Sequence, residues 1–296
     1  MGNLGEKHAS PYKRILAVGA TGTGKSVQAW TLPGKKFEYV FDPNTLASLS
    51  GIAEQLGIDP PDIEAEEFYP DILNLDTTLK GFRTGSKGDK PEDIGRTKKD
   101  AEPTVYMDFI EDINRRVDEG YFDNFDWLIF DSLTFLAKAT MARNMYINDH
   151  YGGIEDLADY RVVGSKISDV FTSLSSLPIN IYMTAHWSSF QDDKTKKIEV
   201  QINAPGSSRR MLPLVFTDIW QTVKDDQGYA IRTTPDPRGL NDLRSSIIGL
   251  EEYEDVTIGD FSKAEEFGFG ALLTKHNWRP KGSSAPKAKT ASSKRK

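Results

Sequence analysis

Residues Gly19-Ala20-Thr21-Gly22-Thr23-Gly24-Lys25-Ser26 put glycine, lysine and a hydroxyl at the spacing G-x-x-x-x-G-K-[ST]. Glycines there let successive main-chain N–H groups turn inward around a polyphosphate. Lys25 brings positive charge to the β and γ phosphates, and the Ser26 hydroxyl suits Mg²⁺. The expected nucleotide contacts are Gly19, Ala20, Thr21, Gly22, Thr23, Gly24, Lys25, Ser26 and Val27. A second reactive group closes the run Asp126-Trp127-Leu128-Ile129-Phe130-Asp131-Ser132. An apolar strand ending in a carboxylate has the form of a Walker B segment, in which Asp131 would hold Mg²⁺ through water beside the phosphate loop. The plainer reading of Asp131 is an N-cap for the helix that follows.

These groups need elements to position them. Arg14-Ile15-Leu16-Ala17-Val18 reads as a buried strand before the loop, and Val27-Gln28-Ala29-Trp30 continues into a helix stopped by Pro33-Gly34. Phe37 to Phe41 reads as a second strand, and Thr104 to Glu119 as an amphipathic helix with Val105, Phe109, Ile113 and Val117 on one face. After Asp131 the pattern predicts a helix to about Asn148. A second runs from Glu155 to Leu177 with Leu157, Val162, Ile167, Val170, Phe171 and Leu174 buried, then comes a strand from Ile179 to Ala185 ending at His186. Beyond it lie an alternating strand Ile198–Ile202, a Gly-Ser loop carrying Arg209 and Arg210, and strands at 218–223 and 229–234. The last two read as an antiparallel extension joined by the turn Asp225-Asp226-Gln227-Gly228. Strands alternating with long helices predict an α/β fold around a mostly parallel sheet.

The division expected is an N-terminal segment 1–11, a core 12–250, a C-terminal extension 251–280 and a basic tail 281–296. Residues 81–103, rich in Gly, Lys and Asp, read as a mobile insertion and the tail as disordered. The 296 residues contain no cysteine, which excludes disulfides and thiolate chemistry and fits a reducing cytoplasm. The sequence predicts neither a signal peptide nor a membrane span. Net charge is −7 although the last sixteen residues carry six Lys or Arg and no acid, so the body is strongly acidic. Nucleic acid could then be held only on local basic patches.

The phosphate loop, the segment Leu-Ile-Phe-Asp-Ser-Leu-Thr, a long helical pair, Met-Thr-Ala-His and the Pro-Gly-Ser-Ser-Arg-Arg stretch before Asp218-Ile219-Trp220 occur in that order. In this the chain resembles the RecA-like ATPases of bacteriophages, short relatives of the RecA recombinases in the phage nucleotide-binding and single-strand annealing group, over residues 12–250. The resemblance implies a RecA-like P-loop NTPase core with a small antiparallel extension, ATP and Mg²⁺ as cofactors, and a homo-oligomer with nucleotide at subunit junctions. It also implies action on single-stranded DNA in phage recombination or replication, with a phage or host single-strand-binding protein as a further partner, in the host cytoplasm. By the same resemblance His186 senses the γ-phosphate and residues 188–212 are the DNA loop.

One departure is expected to matter. RecA proteins carry a catalytic glutamate just beyond the second strand, where this chain has Phe41-Asp42-Pro43-Asn44. Asp42 is the alignable base, and its shorter arm predicts slow hydrolysis. His186 could instead simply close a strand edge. Arg209 and Arg210 could be a solvated pair, contacts to DNA phosphates, or an arginine finger for a neighbouring subunit, with Arg238 and Arg244 as rival fingers. Lys194, Lys196 and Lys197 are a solvated cluster or a DNA-backbone contact. The rival functions are a motor or loader ATPase, and a nucleotide-switched scaffold with little turnover; a small-molecule kinase is disfavoured because no Arg-rich lid is visible.

Overall fold

The computed structural model describes residues 12–59, 62–69, 102–151, 154–191, 198–206, 208–236 and 239–276. The predicted insertion, apart from Glu102 and Pro103, lies outside the described residues, as do the N-terminal segment and the basic tail, and so do Lys194, Lys196, Lys197 and Arg238. Among the described residues no helix is long and apolar enough to cross a membrane.

Eight strands form one sheet in the order β10-β9-β8-β1-β5-β4-β2-β3. They are β1 (Arg14–Val18), β2 (Lys36–Val40), β3 (Ile63–Glu67), β4 (Trp127–Asp131), β5 (Asn180–Ala185), β8 (Asp218–Asp225), β9 (Gly228–Arg232) and β10 (Tyr253–Asp255). From β8 to β3 the pairing is parallel throughout, and β9 and β10 add antiparallel strands. A separate antiparallel hairpin pairs β6 (Trp187–Gln191) with β7 (Ile198–Ile202). The helices are α1 (Lys25–Thr31), α2 (Thr45–Leu56), α3 (Val105–Asp118), α4 (Leu133–Ile147), α5 (Leu157–Leu174), α6 (Ser208–Val215) and α7 (Gly268–Lys275).

The central strands are apolar along their whole length because both faces are covered. Along β1, Leu16 and Val18 face a core shared with Phe109, Leu136, Ile167 and Phe171 of α3, α4 and α5. Ile15 and Ala17 face the opposite core, with Ala29 of α1 and Phe269 and Leu273 of α7. The result is helices on both faces of a mostly parallel sheet, the α/β arrangement expected.

Three local expectations are corrected. Helix α5 begins at a capping box in which the Asp156 carboxylate accepts from the amides of Ala158 and Asp159 while the Asp159 carboxylate accepts from the Asp156 amide. That box sets the phase, so Val163, Ile167, Phe171 and Leu174 are buried while Leu157 and Val162 are exposed. Arg209 and Arg210 lie on α6 and not in a loop, because Ser208 bonds back to Pro205 O and Leu212 is driven into the α5 core. The crossing made by α6 returns the chain to the starting end of β1, so β8 runs parallel to β1 and the antiparallel extension starts only at β9. Its turn is the one expected, with Asp225 Oδ1 accepting from the amides of Gln227 and Gly228.

The sheet also continues past residue 250 through β10. Helix α7 packs against α1, with the Phe269 ring edge-on to Trp220 and Tyr182 at centroid distances of 5.0 and 5.8 Å. Gln28 of α1 ties both segments down: Nε2 donates to Val256 O at 2.8 Å and Oε1 accepts from Phe269 N at 3.1 Å.

Candidate functional site

Parallel strands end on one edge, so the turns after β1, β2, β4 and β5 gather there. The structure thereby brings together Gly19 to Ser26, Asp42, Asp131 and His186, separated by up to 167 residues in sequence.

The loop between β1 and α1 is shaped for an oxyanion. Gly22 and Gly24 sit at φ 80° and 85°, a left-handed conformation that side chains disfavour. Gly24 caps α1 without any side-chain acceptor, and the first turn of α1 carries no acid. A Cβ at Gly19 would lie 2.1 Å from Thr222 Oγ1, so only glycine lets β8 close against the loop. Thr222 in turn lies 2.7 Å from Thr23 Oγ1, and Thr23 donates to Ala20 O at 2.8 Å. These contacts fix the loop, and its left-handed glycines and uncapped helix start are of the kind that fits a polyphosphate. Ser26 is half-buried in the first turn of α1, beside that loop.

Lys25 does not face open solvent. It is 6% exposed and folds back over the loop, Nζ donating to Gly19 O at 3.0 Å and Ala20 O at 2.7 Å. Burial brings its pKa down to about 8, against the opposing pull of the Asp131 and Asp42 charges. A phosphate oxygen would take the place of those carbonyls. One turn beneath, the buried Tyr182 hydroxyl donates to Lys25 O at 2.6 Å.

Asp131 is buried at the end of β4. The Thr45 hydroxyl at the start of α2 donates to Oδ2 at 2.9 Å, and the Thr184 hydroxyl of β5 donates to Oδ1. Carboxylate oxygens have about four lone-pair sites between them, so capacity remains for a metal-bound water. Among the described residues no three His, Cys, Asp or Glu side chains cluster as a metal cage. Mg²⁺ is commonly held by one carboxylate, a hydroxyl, water and the substrate's own phosphates, and Asp131 and Ser26 are groups of the first two kinds.

Asp42 follows β2 at the same edge, its main-chain amide 3.2 Å from Asp131 O. Its Oδ1 accepts from Asn44 N at 2.9 Å and Asn44 Nδ2 at 3.3 Å, an Asx turn that turns the carboxylate toward its own loop. His186 is half-buried, with Nδ1 3.1 Å from Thr134 Oγ1 at the start of α4. Burial and then the Lys25 charge hold its pKa below the ordinary histidine range. Its carbonyl accepts from Asn203 N at 2.8 Å, closing the base of the β6–β7 hairpin where it leaves β5.

The arginines scatter. Arg209 Nε donates to Ala204 O at 2.9 Å, and Arg210 is exposed on the next position of α6. Arg244 Nη2 donates to Phe216 O at 2.6 Å, and its main chain bridges Ile219 near the start of β8. That is the amino edge of the sheet, opposite the phosphate loop. Residues that sequence reasoning passed over include Thr45, Thr184 and Thr222, and Glu38 in the middle of β2. Glu38 is fully buried with neither carboxyl oxygen hydrogen-bonded, and burial followed by the Asp131 charge holds its pKa well above the carboxylate range. An acid alternating with Phe37 and Tyr39 in a strand covered on both faces is the signal that marks it.

A family model described as an AAA domain matches residues 12–221. The chain belongs to the AAA domain family. This AAA domain is a P-loop ATPase, and its match spans the loop, Asp42, Asp131 and His186. Similar solved structures include a KaiC-like protein from the hyperthermophilic archaeon Pyrococcus horikoshii, 14% identical, with a TM-score of 0.33 over 75% of this chain and 76% of that one. Another is a prototypical ATPase from the type III secretion system of pathogenic bacteria, 12% identical, with a TM-score of 0.36 over 72% of this chain and 52% of that one. No curated protein matches the AAA domain chain.

Proposed function

We propose that this AAA domain hydrolyses ATP slowly with Mg²⁺ and acts on single-stranded DNA as a homo-oligomer, in the manner of the phage RecA-like recombinases it resembles. In this reading the loop amides and Lys25 hold the phosphates, and Ser26 and Asp131 hold the metal, which would neutralise charge developing on the phosphates. Asp42 orients the attacking water, and His186 responds to the γ-phosphate. A single-strand-binding protein of phage or host would be met on the same DNA.

The observation that supports coupling to DNA is the path out of His186. Its carbonyl is bonded to Asn203 N, so a shift at the end of β5 is passed to both ends of the β6–β7 hairpin and on to α6 with Arg209 and Arg210. Arg210 is the freer of the two to meet a DNA phosphate or a neighbour's nucleotide. Arg244, at the opposite edge from its own loop, can serve only a neighbouring subunit or the fold. Hydrolysis measured without DNA, with single strands and with duplex tests this. Single-strand stimulation supports the proposal; duplex stimulation points to a motor or loader; indifference overturns the coupling.

The Asx turn at Asp42 favours one alternative. With Oδ1 engaged by Asn44, the base is short and partly committed, which suits a nucleotide-switched scaffold that binds ATP, hardly turns it over and assembles on a partner.

A further inference from the structure

Helices α4 and α5 meet at a corner where each helix end is closed by its own motif. At the end of α4, Asp149 N donates to Tyr146 O at 3.2 Å and His150 N to Met145 O at 3.0 Å, with Asp149 in the left-handed conformation at φ 63°, a Schellman closure. It sets His150 beside the last carbonyls of α4, where the helix dipole favours positive charge. The capping box of α5 sets Asp159 in the first turn of the next helix, where the dipole favours negative charge. His150 Nε2 lies 2.8 Å from Asp159 Oδ2. We propose that His150 is a proton-operated clasp: charged, it locks the end of α4 to the start of α5, and neutral, it releases one side of that corner.

The hydrogen bonds themselves require the proton. Nδ1 lies 3.2 Å from Asn148 O and Nε2 faces a carboxylate oxygen, and neither partner can donate. Both ring nitrogens must therefore donate, which only the imidazolium does. Asp159 is 2% exposed; its Oδ2 also accepts from Asp156 N at 2.9 Å, and its Oδ1 accepts from Asn144 Nδ2 of α4 at 2.7 Å. One buried carboxylate thus ties α4, the α5 cap and the ring together. The charges acting on the ring are the carboxylates of Asp159 and Asp156, while α4 presents the uncharged Asn144 amide to the same carboxylate. The bond to Asp159 raises the His150 pKa above its ordinary value. A group raised in this way stabilises the fold fully below the ordinary histidine pKa, and its contribution is lost as pH rises through the folded one.

The corner is one wall of a cavity of about 570 Å³. Tyr151, Glu155 and Tyr160 line it from the corner, Ala142 from α4, and Ser188 and Gln201 from the β6–β7 hairpin. Tyr151 follows His150 in the chain and Tyr160 follows Asp159, so release of the clasp loosens this wall. Protonation of a single ring thereby sets how readily the cavity opens, in the range around neutrality where histidine changes charge.

Histidine ring signals of the full chain, followed by NMR over pH and assigned with His150→Gln, should show His150 titrating above the ordinary value of about 6.5. His150→Gln leaves the capping box in place and cannot be charged. At about pH 5.5 its folding equilibrium constant should be about two- to fivefold lower than that of the wild type, and the gap should close toward about pH 9. The chain has no cysteine, so Ala142→Cys puts a single thiol in the cavity wall. Thiol ionisation is common to both backgrounds, so the ratio of labelling rates reports the clasp. Ala142→Cys combined with His150→Gln should label about two- to fivefold faster than Ala142→Cys alone at about pH 6, and at the same rate at about pH 9. A His150 that titrates at or below the ordinary value, a stability gap equal at both pH values, or a labelling ratio near one at the lower pH overturns the proposal.

Discussion

The Thr184 hydroxyl donates to Oδ1 of Asp131 across the β4–β5 pair, and both side chains are buried. The carboxylate is therefore aimed by the neighbouring strand and does not sit free at the end of its own. Thr184→Val keeps the shape and removes the donor. It should cost about 1 to 3 kcal/mol in stability, because a buried acceptor loses its partner, and also lower ATP turnover. Chemical denaturation with parallel turnover assays checks both; a variant with wild-type turnover would remove Thr184 from the positioning of Asp131.

Asp131→Asn should reduce Mg²⁺-dependent turnover by about a hundredfold while nucleotide binding measured without metal changes little. The proposed role of the carboxylate is on the ion. Equal losses in the two measurements would make Asp131 a structural acceptor for Thr45 and Thr184 alone.

Lys25→Ala is expected to abolish turnover and to destabilise the empty protein by about 1 kcal/mol, since the ammonium now bonds Gly19 O and Ala20 O. Melting temperatures with and without ATP separate the effects: the variant should melt slightly lower without ATP and gain nothing from adding it.

The same lysine predicts a pH profile. With a pKa brought down to about 8 in the empty site, Lys25 is charged below that pH and neutral above it. Nucleotide affinity should be level below about pH 8 and fall by up to about tenfold per unit above it, as the neutral amine must first take up a proton. A flat profile to about pH 9.5 would show that Lys25 does not supply the charge.

Glu38 predicts a pH dependence of stability. Its folded pKa is raised, so the folded chain holds the proton more tightly than the unfolded one. Stability from this group is complete below the ordinary carboxylate pKa and declines as pH rises toward the folded value. Thermal melts at about pH 5 and about pH 8 should show a fall in the wild type that Glu38→Gln reduces, because the amide stands in for the neutral acid. An identical slope in the two proteins would mean that Glu38 is ionised in the fold.

Local periodicity was enough to read β1, the phosphate loop, β4, α3 and α4, because each carries its own pattern of burial or its own spacing of glycines. It was not enough where a distant contact decides. Helix α6 is eight residues with a proline inside, and it forms because Leu212 and Phe216 find the α5 core. With that crossing unseen, the direction of β8 was misread. The phase of α5 turned on a capping box of two aspartates, which shifts burial by one residue from Val162 to Val163. Asp131 was legible as a terminal acid, but its two threonine partners come from strands and helices 53 and 86 residues away.

Strand β1 is the first of the described elements and lies inside the sheet, between β5 and β8. Its hydrogen-bonding partners are Ile181 to Ala185 on one side and Asp218 to Gln221 on the other. A ribosome making this protein must therefore add about two hundred residues after β1 before that strand can be enclosed on both sides. Until then Gly19 has no β8 to close against and Lys25 O has no Tyr182 beneath it. The phosphate loop, which precedes β8 by about two hundred residues, is among the last parts to take shape, so ATP in the cell cannot stabilise an unfinished chain, and fragments ending before β8 should not be retained on an immobilised nucleotide.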